Sequence, residues 1–200
     1  MANQVTVTDE VGLARPRRAD ARRNYDALVA TAAAAFQEDI DTPLEDIARQ
    51  AGVGIGTLYR HFPNREALIH AVYRTEVERL LEAAGVLADE LPPYEALASW
   101  LEQFIDYAAT KRIIAPALSE MAANRPELFA GTRTRLVAAM DTLVERAVAS
   151  GAIRADLRGE DLLSAMGGIC SAYRDPDWQR RARRLVGLLL DGLRFGVPSA

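Results

Sequence analysis

"TPLEDIARQAGVGIGTLYRHFPNR", residues 42–65, holds two short apolar periods separated by a glycine-rich break. Thr42, Pro43 and Glu45 read as a helix start: a capping Thr, a Pro at the first helical position and a Glu closing a capping box. Leu44, Ile47, Ala48 and Ala51 then fall on one face. Ala48 is small enough for a second helix to approach, and Gly52 stands where the first helix ends and the backbone needs a positive φ. Val53 and Leu58 plug the angle between the two helices. This Ala, Gly and aliphatic spacing predicts a helix-turn-helix. Gly52-Val53-Gly54-Ile55-Gly56 does not suit a dinucleotide loop, which must follow a buried strand and open a long helix. An ordinary core hairpin would leave Tyr59, Arg60 and His61 as large polar groups exposed on one short helix.

Outward from this stretch the chain reads all-α, about nine helices. Residues 1–16 carry no period and read as a mobile arm, with Arg15, Arg17, Arg18, Arg22 and Arg23 clustered around its end. Tyr25, Leu28, Val29, Ala32 and Phe36 share one face of the first helix. Asn64 reads as the cap of a long helix carrying Leu68, Ile69, Val72, Tyr73 and Leu80. Leu91-Pro92-Pro93 stops it. An amphipathic helix with Leu97, Trp100, Leu101, Phe104, Ile105 and Ala108 follows. A shorter one holds Ile113, Ala117, Leu118 and Met121. Pro126 opens a helix that Gly151 closes, and two more cover about 159–173 and 176–195.

Composition narrows the function. Half of the 200 residues are hydrophobic, enough for a sizeable core. No apolar run reaches the length of a membrane span, and the amino terminus does not resemble a signal peptide, so a soluble protein is expected. One cysteine, Cys170, suits a reducing cytoplasm and reads as a small buried hydrophobe. Two histidines, and no Ser/His/Asp set or phosphate loop in a suitable context, argue against an enzyme. No cofactor or metal is expected; His70 has no second histidine nearby. The net charge of −4 leaves nucleic acid open, because binding depends on where the cations lie.

"LEDIARQAGVGIGTLYRHFPNREALIHAV", residues 44–72, closely resembles the DNA-binding domain of TetR-family transcriptional regulators, most specifically in "GTLYRHFPNREAL". The resemblance covers roughly residues 17 to 75. It implies a three-helix DNA-binding head (17–63), a larger helical body for ligand binding and dimerisation (64–200), and a homodimer on the last two helices. By motif match it implies that Thr57, Tyr59 and His61 meet DNA from the recognition helix and that Ile55 faces bases. Thr42 would be a phosphate-contacting cap, and Arg65 would grip the backbone. Gly54 departs from the Ser or Thr common there; its backbone still caps, but it offers DNA no hydroxyl. Base readout would then lean on thymine methyls and DNA shape.

The resemblance further implies that residues 94–150 form the ligand cavity. Trp100, Phe104, Tyr107 and Met121 are its candidate walls, the alternative being that Trp100 and Phe104 fill the core. "YAATKRIIAPALSEM", residues 107–121, is reminiscent of an actinobacterial-type subgroup and names no ligand. In the next-to-last helix Leu162, Met166, Ile169, Cys170 and Tyr173 form one stripe, and Ala165, Gly168 and Ala172 a second of small residues. With Leu185 and Leu189 of the last helix they are expected to build a four-helix dimer interface, against ordinary intrachain packing. The expected partners are a palindromic operator in double-stranded DNA, an unidentified small-molecule effector and a second copy of the chain.

Overall fold

The computed structural model describes residues 17–172 and 175–195. The expected arm at 1–16 and the stripe position Tyr173 lie outside the described residues. Among the described residues the fold is all-α, with eight α-helices, one 3-10 turn and no strand. In order the helices are α1 (Arg17–Glu38), α2 (Leu44–Gln50), α3 (Ile55–His61), α4 (Arg65–Glu90), α5 (Pro93–Asn124), α6 (Thr132–Ala149), α7 (Gly159–Ser171) and α8 (Trp178–Arg194), with the 3-10 turn at Pro126–Phe129.

The first three helices close over Leu28, Phe36, Ile47 and Leu58, all of them fully buried. Gly52, at φ +67°, ends α2 as its position suggested. Its amide donates to Arg49 O at 3.1 Å and that of Val53 to Ala48 O at 2.9 Å. These bonds satisfy the last carbonyls of α2 and turn the chain sharply into α3. Asn64 caps α4, its side chain accepting from the Ala67 amide at 2.9 Å.

The long α4 leaves this head and runs into the body, where α5 packs along it. Trp100 has no exposed surface, and its indole N–H donates to Leu80 O at 2.8 Å, joining α5 to α4. The short helix expected around Ile113–Met121 is the second half of α5, which continues through Pro116 for 32 residues. Pro126 likewise opens the 3-10 turn, and α6 starts only after Gly131, at φ +79°. Arg135 of α6 forks onto Glu78 of α4 at 2.7 and 2.6 Å and holds that carboxyl below its ordinary range. At the start of α7 the Gly159 amide donates to Asp141 Oδ1 at 2.7 Å. A Cβ at Gly159 would lie 2.6 Å from the Asp141 backbone nitrogen, so the close approach of α7 to α6 requires glycine. Finally α8 buries Ala182, Val186, Leu190 and Leu193, while its Arg183 reaches Glu102 (3.1 Å) and Asp106 (2.7 Å) of α5.

Candidate nucleic-acid interface and body cavity

The two faces of α3 are chemically opposite. Leu58, together with Phe62 just beyond the helix, is locked into the head. Ile55 and Tyr59 point outward, 39% and 44% exposed, beside exposed Gly54, Gly56 and Arg60. The structure leaves only five large hydrophobic side chains this exposed among the described residues, and two stand one turn apart here. A short helix fixed from behind and apolar in front suits insertion into a groove. Thr57 is half-buried on the flank. The hydroxyl of Tyr59 donates at 3.4 Å to Glu45, a bond long enough to give way to a stronger acceptor. His61 is half-buried, its ring edge-on to Tyr25 at 5.8 Å, so it stands at the rim of this surface.

Thr42 and Arg65, expected to contact phosphates, make hydrogen bonds within the head. Thr42 does not cap α2: the N-cap is Pro43, with no side-chain bond to the first amides. The Thr42 hydroxyl donates to Asp39 O at 2.7 Å and closes the turn after α1. Arg65 is half-buried and turned back on the head. Its guanidinium donates to Ile40 O (2.8 Å), Thr42 O (2.6 Å) and Asp41 O (3.4 Å) and lies 5.7 Å from the Phe36 ring centroid. It thereby ties the start of α4 to the α1–α2 connection. Replacing it with Ala should lower stability by about 1–2 kcal/mol, the range for bonds to a charged donor discounted for partial exposure. Urea unfolding of R65A measures this, and unchanged stability would show that these bonds do not hold the head to α4.

In the body, a cavity of about 300 Å³ opens between α4, α5, α6 and α7. Phe104 and Tyr107 line it together with Tyr73, Phe129, Leu136 and Leu163, and Lys111 and Arg133 supply two cations. Burial and the adjoining Tyr73 phenol push the Tyr107 hydroxyl's pKa up. Trp100 and Met121, expected as cavity walls, are buried in the core instead and do not line it. Sequence reasoning missed Lys111 and Arg133, since a cation on a helix reads by default as a solvated surface.

The chain from Pro92 to Phe195 matches the family model described as "Transcriptional regulator SbtR-like, C-terminal domain", over residues 92–195. Residues 27–72 match "Bacterial regulatory proteins, tetR family". The chain belongs to the TetR family. A TetR transcriptional regulator from Streptomyces coelicolor, SCO0520, is 45% identical, with 88% of this chain and 99% of that one covered at a TM-score of 0.78. A second TetR regulator, from Mycobacterium vanbaalenii, is 30% identical, covering 90% and 99% at a TM-score of 0.75. An HTH-type transcriptional regulator of Staphylococcus aureus, SAR0097, is 33% identical over 98 residues, which are 46% of this chain and 51% of that protein. The match thus spans about half the length of that curated relative. The protein is a TetR-family transcriptional regulator, of a family whose members bind DNA and are not enzymes. Among its described residues no helix is long and apolar enough to cross a membrane.

On the TetR body, the two stripes of α7 separate by size. Leu162 and Met166, expected at a dimer interface, are buried inside the protomer, as is Cys170, whose thiol burial pushes up to about 11. The small stripe faces out, with Gly168 and Ala172 exposed and Ala165 half-buried, and of the large stripe Ile169 alone among the described residues is half-buried at its edge. On α8, Leu185 and Leu189 are half-buried and Leu188 is 68% exposed. Sequence reasoning passed over Leu188, although its position in the leucine run of α8 was a readable signal.

Proposed function

We propose that this TetR-family regulator is a cytoplasmic, ligand-responsive repressor that binds a palindromic operator as a homodimer and leaves it when a small-molecule effector enters the body. The observation that carries the reading is α3 itself, fixed from behind by Leu58 while Ile55 and Tyr59 face out. Gly54, Ile55, Thr57, Tyr59 and His61 are the proposed DNA-contacting residues. The outward parts of α7 and α8, at Ala165, Gly168, Ile169, Leu185, Leu188 and Leu189, are the proposed dimer surface. Two heads held by one such interface read two half-sites, which makes the operator palindromic. The cavity lined by Phe104 and Tyr107 is the proposed effector site. It touches α4 through Tyr73 and so adjoins the helix that enters the head. An effector shifts the protein off DNA only by preferring the head separation that does not fit the operator.

Operator fragments captured from genomic DNA supply the substrate for the test. Tyr59→Ala is expected to weaken binding to the captured operator by about ten- to a hundredfold in fluorescence anisotropy, the effect of losing one or two base contacts. Because Tyr59 is exposed, the circular dichroism spectrum and melting temperature should stay as in the wild type. Unchanged operator affinity in Y59A would remove α3 from the DNA interface.

A further inference from the structure

The body cavity has an uneven charge inventory. Its lining includes two cations and no carboxylate. Arg133 is already paired at the rim, donating to Glu160 Oε1 at 3.2 Å and Ser164 Oγ at 3.4 Å. Lys111 makes no ion pair among the described residues; its ammonium lies 5.9 Å from the Tyr107 ring centroid, over the cavity. Lys111 is exposed at the mouth, yet the surrounding protein desolvates its ammonium enough to lower its pKa. A bound anion would reverse that shift, since an opposite charge favours the protonated amine. Behind the cation the walls are apolar and aromatic. Phe104 and Tyr107 stand edge-on at 5.4 Å, and Phe129 lies 5.6 Å from Tyr73. Tyr107 is only 4% exposed, and its hydroxyl is engaged with the Tyr73 phenol.

We infer that the cavity takes an organic monoanion with a flat apolar body, its carboxylate at Lys111 and its ring system between Phe104, Tyr107 and Phe129. This specifies the ligand class of the effector site and rests on that assignment of the cavity. A cavity of about 300 Å³ is at the small end for ligand pockets, which suits a one- or two-ring acid. Arg133, occupied by Glu160, plays a secondary part; Lys111 is the determinant of charge preference.

Three isosteric probes test this by isothermal titration calorimetry on the full chain: 2-naphthoate, 2-naphthalenemethanol and 2-naphthylmethylammonium. Naphthoate is expected to bind at least about tenfold tighter than the alcohol, the effect of one charge-assisted hydrogen bond, and the ammonium to bind more weakly than either. Lys111→Met should abolish the advantage of naphthoate while leaving the affinity for the alcohol within about twofold, which shows the cavity intact. Equal affinity for naphthoate and alcohol, failure of all three to bind, or an advantage that survives in K111M would each overturn the ligand class. Operator binding is read separately. Naphthoate bound through Lys111 without any change in operator affinity would uphold the ligand class and overturn the effector role of the cavity.

Discussion

Trp100→Ala is expected to destabilise the protein by about 3–5 kcal/mol, the range for removing a large aromatic side chain from a packed core. Trp100 has no exposed surface and lies where α5 crosses α4, with Phe104 at 5.9 Å between ring centroids. Its truncation would leave a cavity that two long helices are too stiff to close, and would remove the indole bond to Leu80 O. Trp100→Phe keeps most of the volume and loses the hydrogen bond, so its expected cost is smaller, about 1–2 kcal/mol. Urea unfolding followed by far-ultraviolet circular dichroism measures both. A wall of a ligand cavity would behave otherwise: truncation would enlarge the site, alter ligand affinity and cost little stability. A loss under 1 kcal/mol in W100A would therefore return Trp100 to the cavity.

Signals in the sequence are legible where the chemistry is itself local. Gly52 needs only its own φ, and Asn64 only an amide three residues on, so spacing alone is enough to place both. Thr42 misses its expected role by a single residue. With Pro43 in an extended conformation as the N-cap, Thr42 falls outside α2, and its hydroxyl finds Asp39. Pro116 misleads for a different reason. A proline inside a helix removes one bond, but Ile114, Leu118 and Met121 on either side are buried, and that packing holds α5 together across the defect. The hydrogen bonds of Arg65 span more than twenty residues, and the cavity draws on four helices. No window on the sequence contains such juxtapositions. The stripes of α7 are visible in the sequence, but the choice of which faces inward depends on α6, to which α7 is pinned at Gly159.

The same division of α7 makes Gly168→Glu a sharp test of the proposed dimer. Gly168 is exposed, and a Cβ there would meet nothing within 4 Å, so the protomer has room for the longer side chain. Glutamate is also the better helix former, by about 0.5 kcal/mol or more, so the protomer should be at least as stable as before. In a dimer built on the small stripe of α7 and the leucines of α8, that carboxylate would be buried without a partner. The expected result is a dissociation constant raised at least a hundredfold, read by sedimentation or multi-angle light scattering. Operator affinity should fall with it by a factor of about a hundred or more, because a monomer loses the effective concentration that the first bound head confers on the second. Leu188→Glu should act in the same direction, since Leu188 is 68% exposed in the protomer. Val86→Glu on α4, at a position 53% exposed and outside the proposed dimer surface, should leave both dimer and operator binding intact. If G168E remains dimeric at micromolar concentration and retains wild-type operator affinity, the two heads are held together by some other surface. The palindrome would then have to be explained by a different spacing of the two copies of α3.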